Sequence, residues 1–430
     1  MNTSLEYVYS LFEKGHKICT DSRFLNKSDV FFALKGATFD GNTFVMQAVE
    51  NGAEIAIADD PKHIGKERTI VVPCVLEFLQ TLAKKHRGKL NIPVIGLTGS
   101  NGKTTTKELI NKVLANKYKT FATQGNLNNH IGVPLSILSI KKETEIAIIE
   151  MGANHLGEVE LLCSISQPTH GLITNIGKAH LEGFGSFSGV VKAKSELYRH
   201  LAENDGTVFI NTNNPLLVDL STRFNIPHVV KYNPELFMLE SVSTTNTYLS
   251  LTFEIQGEKI ELNSQLVGEY NAENILAAMS VGTHFGVSPK QAIDAIASYK
   301  PNNSRSQIVK TANNTVILDA YNANPSSMEQ ALTNFANLTT NLPKIAILGD
   351  MLELGNYSNE EHRKIAQLAK SLVGTVVFIG KHFEAEAYES LWFATQTECA
   401  NYLTKSSLKG YSILLKGSRG IHLDKLMPLL

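Results

Sequence analysis

Gly96-Leu97-Thr98-Gly99-Ser100-Asn101-Gly102-Lys103-Thr104-Thr105-Thr106 is the stretch on which the reading of this chain turns. The apolar run before it, from Pro93 to Leu97, predicts a buried strand, and Leu109, Ile110, Val113, Leu114 and Tyr118 after it recur at helical spacing. A glycine-rich turn joining a strand to a helix N-terminus is a phosphate cradle. Its glycines let backbone N–H groups approach phosphate oxygens, a lysine adds a point charge, and a threonine hydroxyl is offered to Mg²⁺. Gly99, Ser100, Asn101, Gly102, Lys103, Thr104 and Thr105 are therefore the expected nucleotide contacts. Leu97 occupies the place of the first glycine in the strict loop consensus, which narrows the class of loop.

The chain around this loop has 430 residues, which at about 100–200 residues per domain suggests two to four domains, and we expect three. A hydrophobic content of 43% is ample for full cores. The net charge of −1 removes the electrostatic case for nucleic acid or a membrane surface and favours a small-molecule partner. Cys19, Cys74, Cys163 and Cys399 show no CxxC spacing, against a zinc ribbon or disulfide framework. No apolar run reaches the roughly 18 residues of a membrane span, and Met1 to Glu6 lacks a basic start with an apolar core, so the expected location is the cytoplasm.

Strand-like runs Val30 to Leu34, Ile55 to Ala58 and Thr69 to Val72 alternate with helical stretches Thr43 to Glu50 and Leu76 to His86, a small α/β domain over residues 1–91. Residues 92–308 continue with buried-strand candidates Ile146 to Ile149, Gly171 to Ile176 and Thr207 to Ile210, which predict a mostly parallel sheet wrapped by helices. The alternation between Thr244 and Leu266 reads as antiparallel and suits an edge of that central sheet. Helical patterns at Asn271 to Phe285 and Pro289 to Ser298 end in the turn-rich Lys300-Pro301-Asn302-Asn303-Ser304. Residues 309–430, with strand candidates Val316 to Asp319, Lys344 to Leu348, Thr375 to Ile379 and Ser412 to Leu415, predict a Rossmann-like, doubly wound domain.

Beyond the loop, Glu150 ends the run Ile146 to Glu150, where parallel sheets present ligands, and it suits a Mg²⁺ oxygen ligand or a helix cap. His180 follows the strand candidate Leu172 to Ile176 by a short loop on the same sheet edge, which favours a ligand role. Lys192 and Lys194 lie at an expected helix start, where spacing alone makes both solvated charges.

Taken together, Thr98 to Thr106, Glu150-Met-Gly-Ala-Asn-His155, Asn175 with Ala179-His-Leu-Glu-Gly-Phe-Gly185, Ala193-Lys-Ser-Glu196 and Gly268-Glu-Tyr-Asn-Ala-Glu-Asn274 resemble the ATP-dependent Mur ligases of peptidoglycan synthesis. The short nucleotide loop of that family also accounts for Leu97. Gly125 to Pro134, Asp319 to Met328 and Leu348 to Gly355 resemble the branch that adds D-alanyl-D-alanine to UDP-N-acetylmuramoyl-tripeptide.

The resemblance implies a UDP-sugar-binding domain over 1–91, a P-loop-like ATP-binding domain over 92–308 and a Rossmann-like domain over 309–430. It implies that Lys103 binds the β and γ phosphates, that Thr104 and Glu150 hold one Mg²⁺, and that His180 and Lys194 serve a second. The matching lysine of the family is carbamylated. Asn271 resembles a residue near the phosphates and Arg305 the γ-phosphate arginine, although Ser304 stands where many relatives carry glycine. Asp319 would contact the ribose, with Tyr321 and Asn322 near the nucleoside. Ser22, Arg23 and Lys35 would bind the nucleotide-sugar phosphates, and Asn126, Asn128 and Asn129 would lie at the substrate. Asp350 and Glu353 would hold the amine end of the dipeptide, and Leu415 to Gly420 would line the cleft. A monomer is the expected state. The rivals are a ligase adding a single amino acid, whether the third residue of the peptide or a folate glutamate, and a nucleotide-binding protein without catalysis.

Overall fold

The computed structural model describes all residues except 1, 236, 246, 247, 256, 302–305, 389 and 407. It divides into two compact units, the first made of Met1–Gly96, Lys119–Gly152 and Glu160–Thr169, the second of Leu97–Tyr118, Ala153–Val159 and His170–Leu430.

In the first unit a four-stranded parallel sheet runs in the order Ile18–Cys19, Val30–Phe32, Ile55–Ala58, Thr69–Val71. The middle two strands are buried throughout, as unbroken apolar runs in a parallel sheet require. The helix Asn2–Glu13 precedes them and Val75–Arg87 follows. Arg87, only 6% exposed, donates from Nε to Ser166 O at 2.8 Å and from Nη2 to Gln167 O at 2.9 Å, satisfying carbonyls at the end of the helix Glu158–Ser166. Thr120–Ala122 pairs in parallel with Ile146–Glu150 in the same unit.

The strand Val94–Thr98 carries the chain into the second unit after Gly96. There His170–Ile173, Thr207–Asn211 and His228–Tyr232 pair in parallel. Leu239–Thr245, Tyr248–Ile255 and Glu258–Asn263 pair antiparallel, as their alternation predicts, but they form a three-stranded sheet of their own. This corrects the expectation of an edge on the central sheet. The reason lies in the inward face, where Leu249, Leu251, Phe253 and Leu262 are completely buried, with the helices Asn271–His284 and Pro289–Ala297 packed on this sheet.

A third sheet orders its six strands Gln307–Lys310, Thr315–Asp319, Ser412–Lys416, Lys344–Gly349, Val376–Ile379, Leu391–Phe393. The first pair is antiparallel and the others parallel, with helices Pro325–Asn337, Ser358–Val373 and Gln396–Ser406 in the connections. The last strand in sequence lies between the second and fourth, so Asp319, Lys416 and Gly349 end three neighbouring strands at one carboxyl edge, the place where such sheets receive ligands.

Candidate active site

The phosphate loop belongs to the second unit, and its glycines are demanded by space. Gly99 has φ +147°, and a Cβ there would lie 2.0 Å from Thr174 Oγ1. Gly102 has φ +78°, and its Cβ would meet Asn274 Oδ1 at 2.7 Å. Lys103 opens the helix Lys103–Leu114, with Thr104 in its first turn and 5% exposed. Its Nζ donates to Gly99 O at 2.7 Å.

Three segments brace this loop. Thr174 Oγ1 donates to Asn101 O at 2.6 Å, Asn101 N to Asn175 Oδ1 at 3.0 Å, and Gly177 N to Ser100 Oγ at 2.9 Å. From the helix Asn271–His284, Asn274 accepts from Thr106 Oγ1 at 3.0 Å and donates to Asn271 Oδ1 at 2.8 Å, so Asn271, 3% exposed, reaches the loop helix through Asn274. Asn324, which caps the helix Pro325–Asn337, donates to Asn101 Oδ1 at 2.8 Å. Thr174, Asn274 and Asn324 were not among the expected contacts, although the latter two sit inside the motifs ending at Asn274 and beginning at Asp319.

The segment after Asn175 is tied equally to the helices and a loop that flank the third sheet. Lys178 N donates to Ser326 Oγ at 3.1 Å, Lys178 Nζ to Glu361 Oε1 at 2.7 Å, and Glu182 N to Glu353 O at 3.1 Å. His180 and Glu353, expected at the metal and at the dipeptide, are brought together by a short Nδ1 to Oε2 hydrogen bond. That bond holds the Glu353 carboxyl below its ordinary range.

Lys194 departs from its expected solvation. It lies in mid-helix within Phe187–Glu203 and is 1% exposed, whereas Lys192 is exposed. Its Nζ donates to Ala153 O at 3.3 Å and stands 5.4 Å from the Phe184 ring centre. Burial, helped by the charge of Lys103, brings its pKa down to about 7, so an uncharged amine is accessible near neutrality. No group of three or more His, Cys, Asp or Glu is poised for a metal among the described residues.

In the first unit Glu150 is 1% exposed, its N donating to Thr123 Oγ1 and its Oε1 accepting from Asn128 Nδ2 at 2.8 Å. Asn128 therefore orients that carboxylate. Asn129 Oδ1 accepts from Ile131 N and Gly132 N where the helix Gly132–Leu138 begins, and Asn126 is exposed beside it. Ser22 begins the short helix Ser22–Phe24, and the exposed Arg23 is clasped by Asp21, whose carboxyl is lowered to about 2 by that contact. Lys35 pairs with Asp59 Oδ1 at 2.9 Å, where Asn42 Nδ2 also donates.

In the second unit Asp319 accepts from Lys416 Nζ at 2.6 Å on Oδ2 and from Ser306 N at 3.3 Å on Oδ1. Beside it opens a narrow pocket lined by Tyr270, Ser306, Asp319, Asn334, Phe335 and Leu338. Tyr321 lies under the Arg419 guanidinium at 5.7 Å, and the exposed Asn322 accepts from Ala323 N. Asp350 is 4% exposed, with Oδ2 accepting from His382 N and its carboxyl pushed up by burial. Arg305 lies outside the described residues.

Residues 14–87 match the model "Mur ligase family, catalytic domain", residues 97–282 "Mur ligase middle domain" and residues 304–419 "Mur ligase, glutamate ligase domain". The chain is 34% identical over 428 residues to the UDP-N-acetylmuramoyl-tripeptide–D-alanyl-D-alanine ligase of Bacillus subtilis, covering 96% of this chain and 92% of that protein. Among solved structures it is similar to MurF from Acinetobacter baumannii, with a TM-score of 0.87, 32% identity and coverage of 96% and 92%. MurF from Thermotoga maritima in complex with ADP is similar with a TM-score of 0.84, 28% identity and 97% of each chain covered.

Proposed function

Because this chain belongs to the Mur ligase family, we propose that it joins D-alanyl-D-alanine to UDP-N-acetylmuramoyl-tripeptide with conversion of ATP to ADP. The chain is an ATP-dependent, ADP-forming peptide ligase of peptidoglycan biosynthesis. The single observation that carries the site assignment is the braced phosphate loop, in which Gly99 and Gly102 admit no side chain and Asn175, Asn274 and Asn324 hold the backbone.

The donor set suits Mg²⁺. A Thr104 hydroxyl and a Glu150 carboxylate would hold one Mg²⁺, and a His180 imidazole would serve a second. Lys194 would join His180 there only as an anion. A buried amine with no carboxylate hydrogen-bonded to it among the described residues adds to CO₂, losing one proton and gaining a carbamate oxygen pair. Mg²⁺ held by these residues would neutralise charge on the triphosphate and the approaching carboxylate.

The tripeptide carboxylate attacks the γ-phosphorus, giving an acyl phosphate and ADP, and the dipeptide amine then attacks the acyl carbon and expels phosphate. Two anions must meet in the first step, and Lys103 and Arg305 align them. His180 would serve a Mg²⁺ ion once free of Glu353, and Glu353 would then receive the dipeptide ammonium. Asn271 acts on the phosphates through the loop helix. Asp319 takes the ribose, Tyr321 and Asn322 border the nucleoside, and Ser22, Arg23 and Lys35 take the sugar-nucleotide diphosphate. Asn126, Asn128 and Asn129 face the acceptor, and Asp350 shapes the dipeptide end.

Residues 1–91, 92–308 and 309–430 carry the acceptor, ATP and dipeptide functions respectively. The reaction belongs to the cytoplasm, where ATP and nucleotide precursors are found, and a monomer suffices for it. No described helix is long and apolar enough to cross a membrane. Dipeptide-dependent ADP release with a pentapeptide product tests the reading, and turnover with single amino acids instead would overturn it.

A further inference from the structure

Lys416 falls in the stretch Leu415 to Gly420 expected to line the cleft, with no role given to its own side chain, yet it is 2% exposed and its ammonium lies in the protein interior at the end of a parallel strand. Its only carboxylate partner among the described residues is Asp319, at 2.6 Å, and it also reaches Asn322 O at 3.4 Å. The pair is built into the sheet, because Asp319 and Lys416 are register partners on Thr315–Asp319 and Ser412–Lys416. Lys416 holds Oδ2, which leaves Oδ1 on the side of Ser306, whose N–H it accepts and whose Oγ meets Tyr270 OH at 2.5 Å. With Asn334 these are the polar groups of the narrow pocket walled by Phe335 and Leu338.

We propose that Lys416 is a positioning residue for ATP: it locks the rotamer of Asp319, so that Asp319 presents one carboxylate oxygen to the ribose hydroxyls. This rests on the ribose assignment of Asp319 made above. A carboxylate among apolar walls that loses its buried cation either takes up a proton or turns toward solvent, and in both cases it no longer accepts two hydroxyl protons in a set geometry. Lys416 touches no reacting atom, so its loss acts on nucleotide recognition.

The test compares ATP with 2′,3′-dideoxy-ATP through the ratio of their kcat/KM values in the full enzyme. The ratio is measured within one preparation, so any unfolded fraction of a variant cancels. The unaltered enzyme favours ATP by at least about tenfold, the worth of one to two hydrogen bonds. Asp319→Asn and Lys416→Met each bring the ratio to within about twofold of unity, the double variant adds nothing further, and Lys416→Arg recovers part of the preference by restoring the cation. The KM for ATP rises more than kcat falls. If Asp319→Asn loses the preference while Lys416→Met keeps it, Lys416 only supports the sheet and the inference is wrong. If Asp319→Asn keeps the preference, the ribose assignment itself fails and takes the inference with it.

Discussion

Replacing Gly99 by alanine tests the loop geometry at its tightest point. The new Cβ would lie 2.0 Å from Thr174 Oγ1, 3.1 Å from Thr174 N and 3.2 Å from Asn175 O, in a backbone with φ +147°. Ordinary contact needs about 3.5 Å, so Thr174 Oγ1 must retreat by more than about 1 Å. It is not free to do so, because it donates to Asn101 O at 2.6 Å. The backbone strain costs about 1–3 kcal/mol and the broken hydrogen bond about 1 kcal/mol, together about 2–4 kcal/mol of loop distortion. A displacement near 1 Å at a reacting phosphate lowers rate by about 10²-fold. The assay is steady-state ADP formation with ATP varied, alongside a thermal melt. We expect kcat/KM for ATP to fall about 10²-fold with the fold retained. Adding Thr174→Ala removes the nearest clashing atom and should recover about tenfold. A Gly99→Ala enzyme within threefold of normal would refute the loop geometry.

Lys103→Ala should lower ligation by at least about 10³-fold, as measured by ADP release, since it removes a preorganised charge at the transferring phosphate; near-normal turnover would remove the cradle assignment. Lys194→Ala should be inactive and partly restored by short carboxylic acids that replace a carbamate, and an active variant indifferent to those acids would take Lys194 out of the metal site. Acid should destabilise the fold through His362, which is fully buried, accepts from Met351 N at 3.0 Å on Nε2 and contacts Ser358 O at 2.7 Å through Nδ1, an arrangement for the neutral ring. Burial lowers its pKa from the ordinary 6.5 to about 4. Between those values the unfolded chain binds the extra proton, so the contribution of up to about 3 kcal/mol is complete above pH 6.5 and lost as pH falls toward 4. Urea midpoints measured across that window should fall less steeply in His362→Gln, and parallel curves would contradict the assignment.

The phosphate loop and the main parallel strands were legible because their signals are local. Gly99 to Thr106 lies between an apolar run and a helical period, and Ile55 to Ala58 or Lys344 to Leu348 show unbroken burial within one short stretch. Pairings across long separations were not legible. Alternation in Tyr248 to Phe253 dictates which side chains share a face, yet it does not say which sheet the strand joins. Spacing placed Lys194 in solvent, whereas Phe184 and Ala153 close over it from elsewhere in the chain. The bonds of His180 to Glu353 and of Asn324 to Asn101 join residues 173 and 223 positions apart, and nothing in either local sequence names the partner. Asp350 follows the strand Lys344–Gly349 as expected of a site carboxylate, but Gly380 lies against its side chain and buries it.

The most direct measurement follows ADP release and product mass with ATP, Mg²⁺ and UDP-N-acetylmuramoyl-tripeptide, in the presence and absence of D-alanyl-D-alanine. The account predicts ADP formation that depends on the dipeptide, with one pentapeptide product formed per ADP. ADP release without any peptide product, or ligation of a single amino acid in place of the dipeptide, would contradict it.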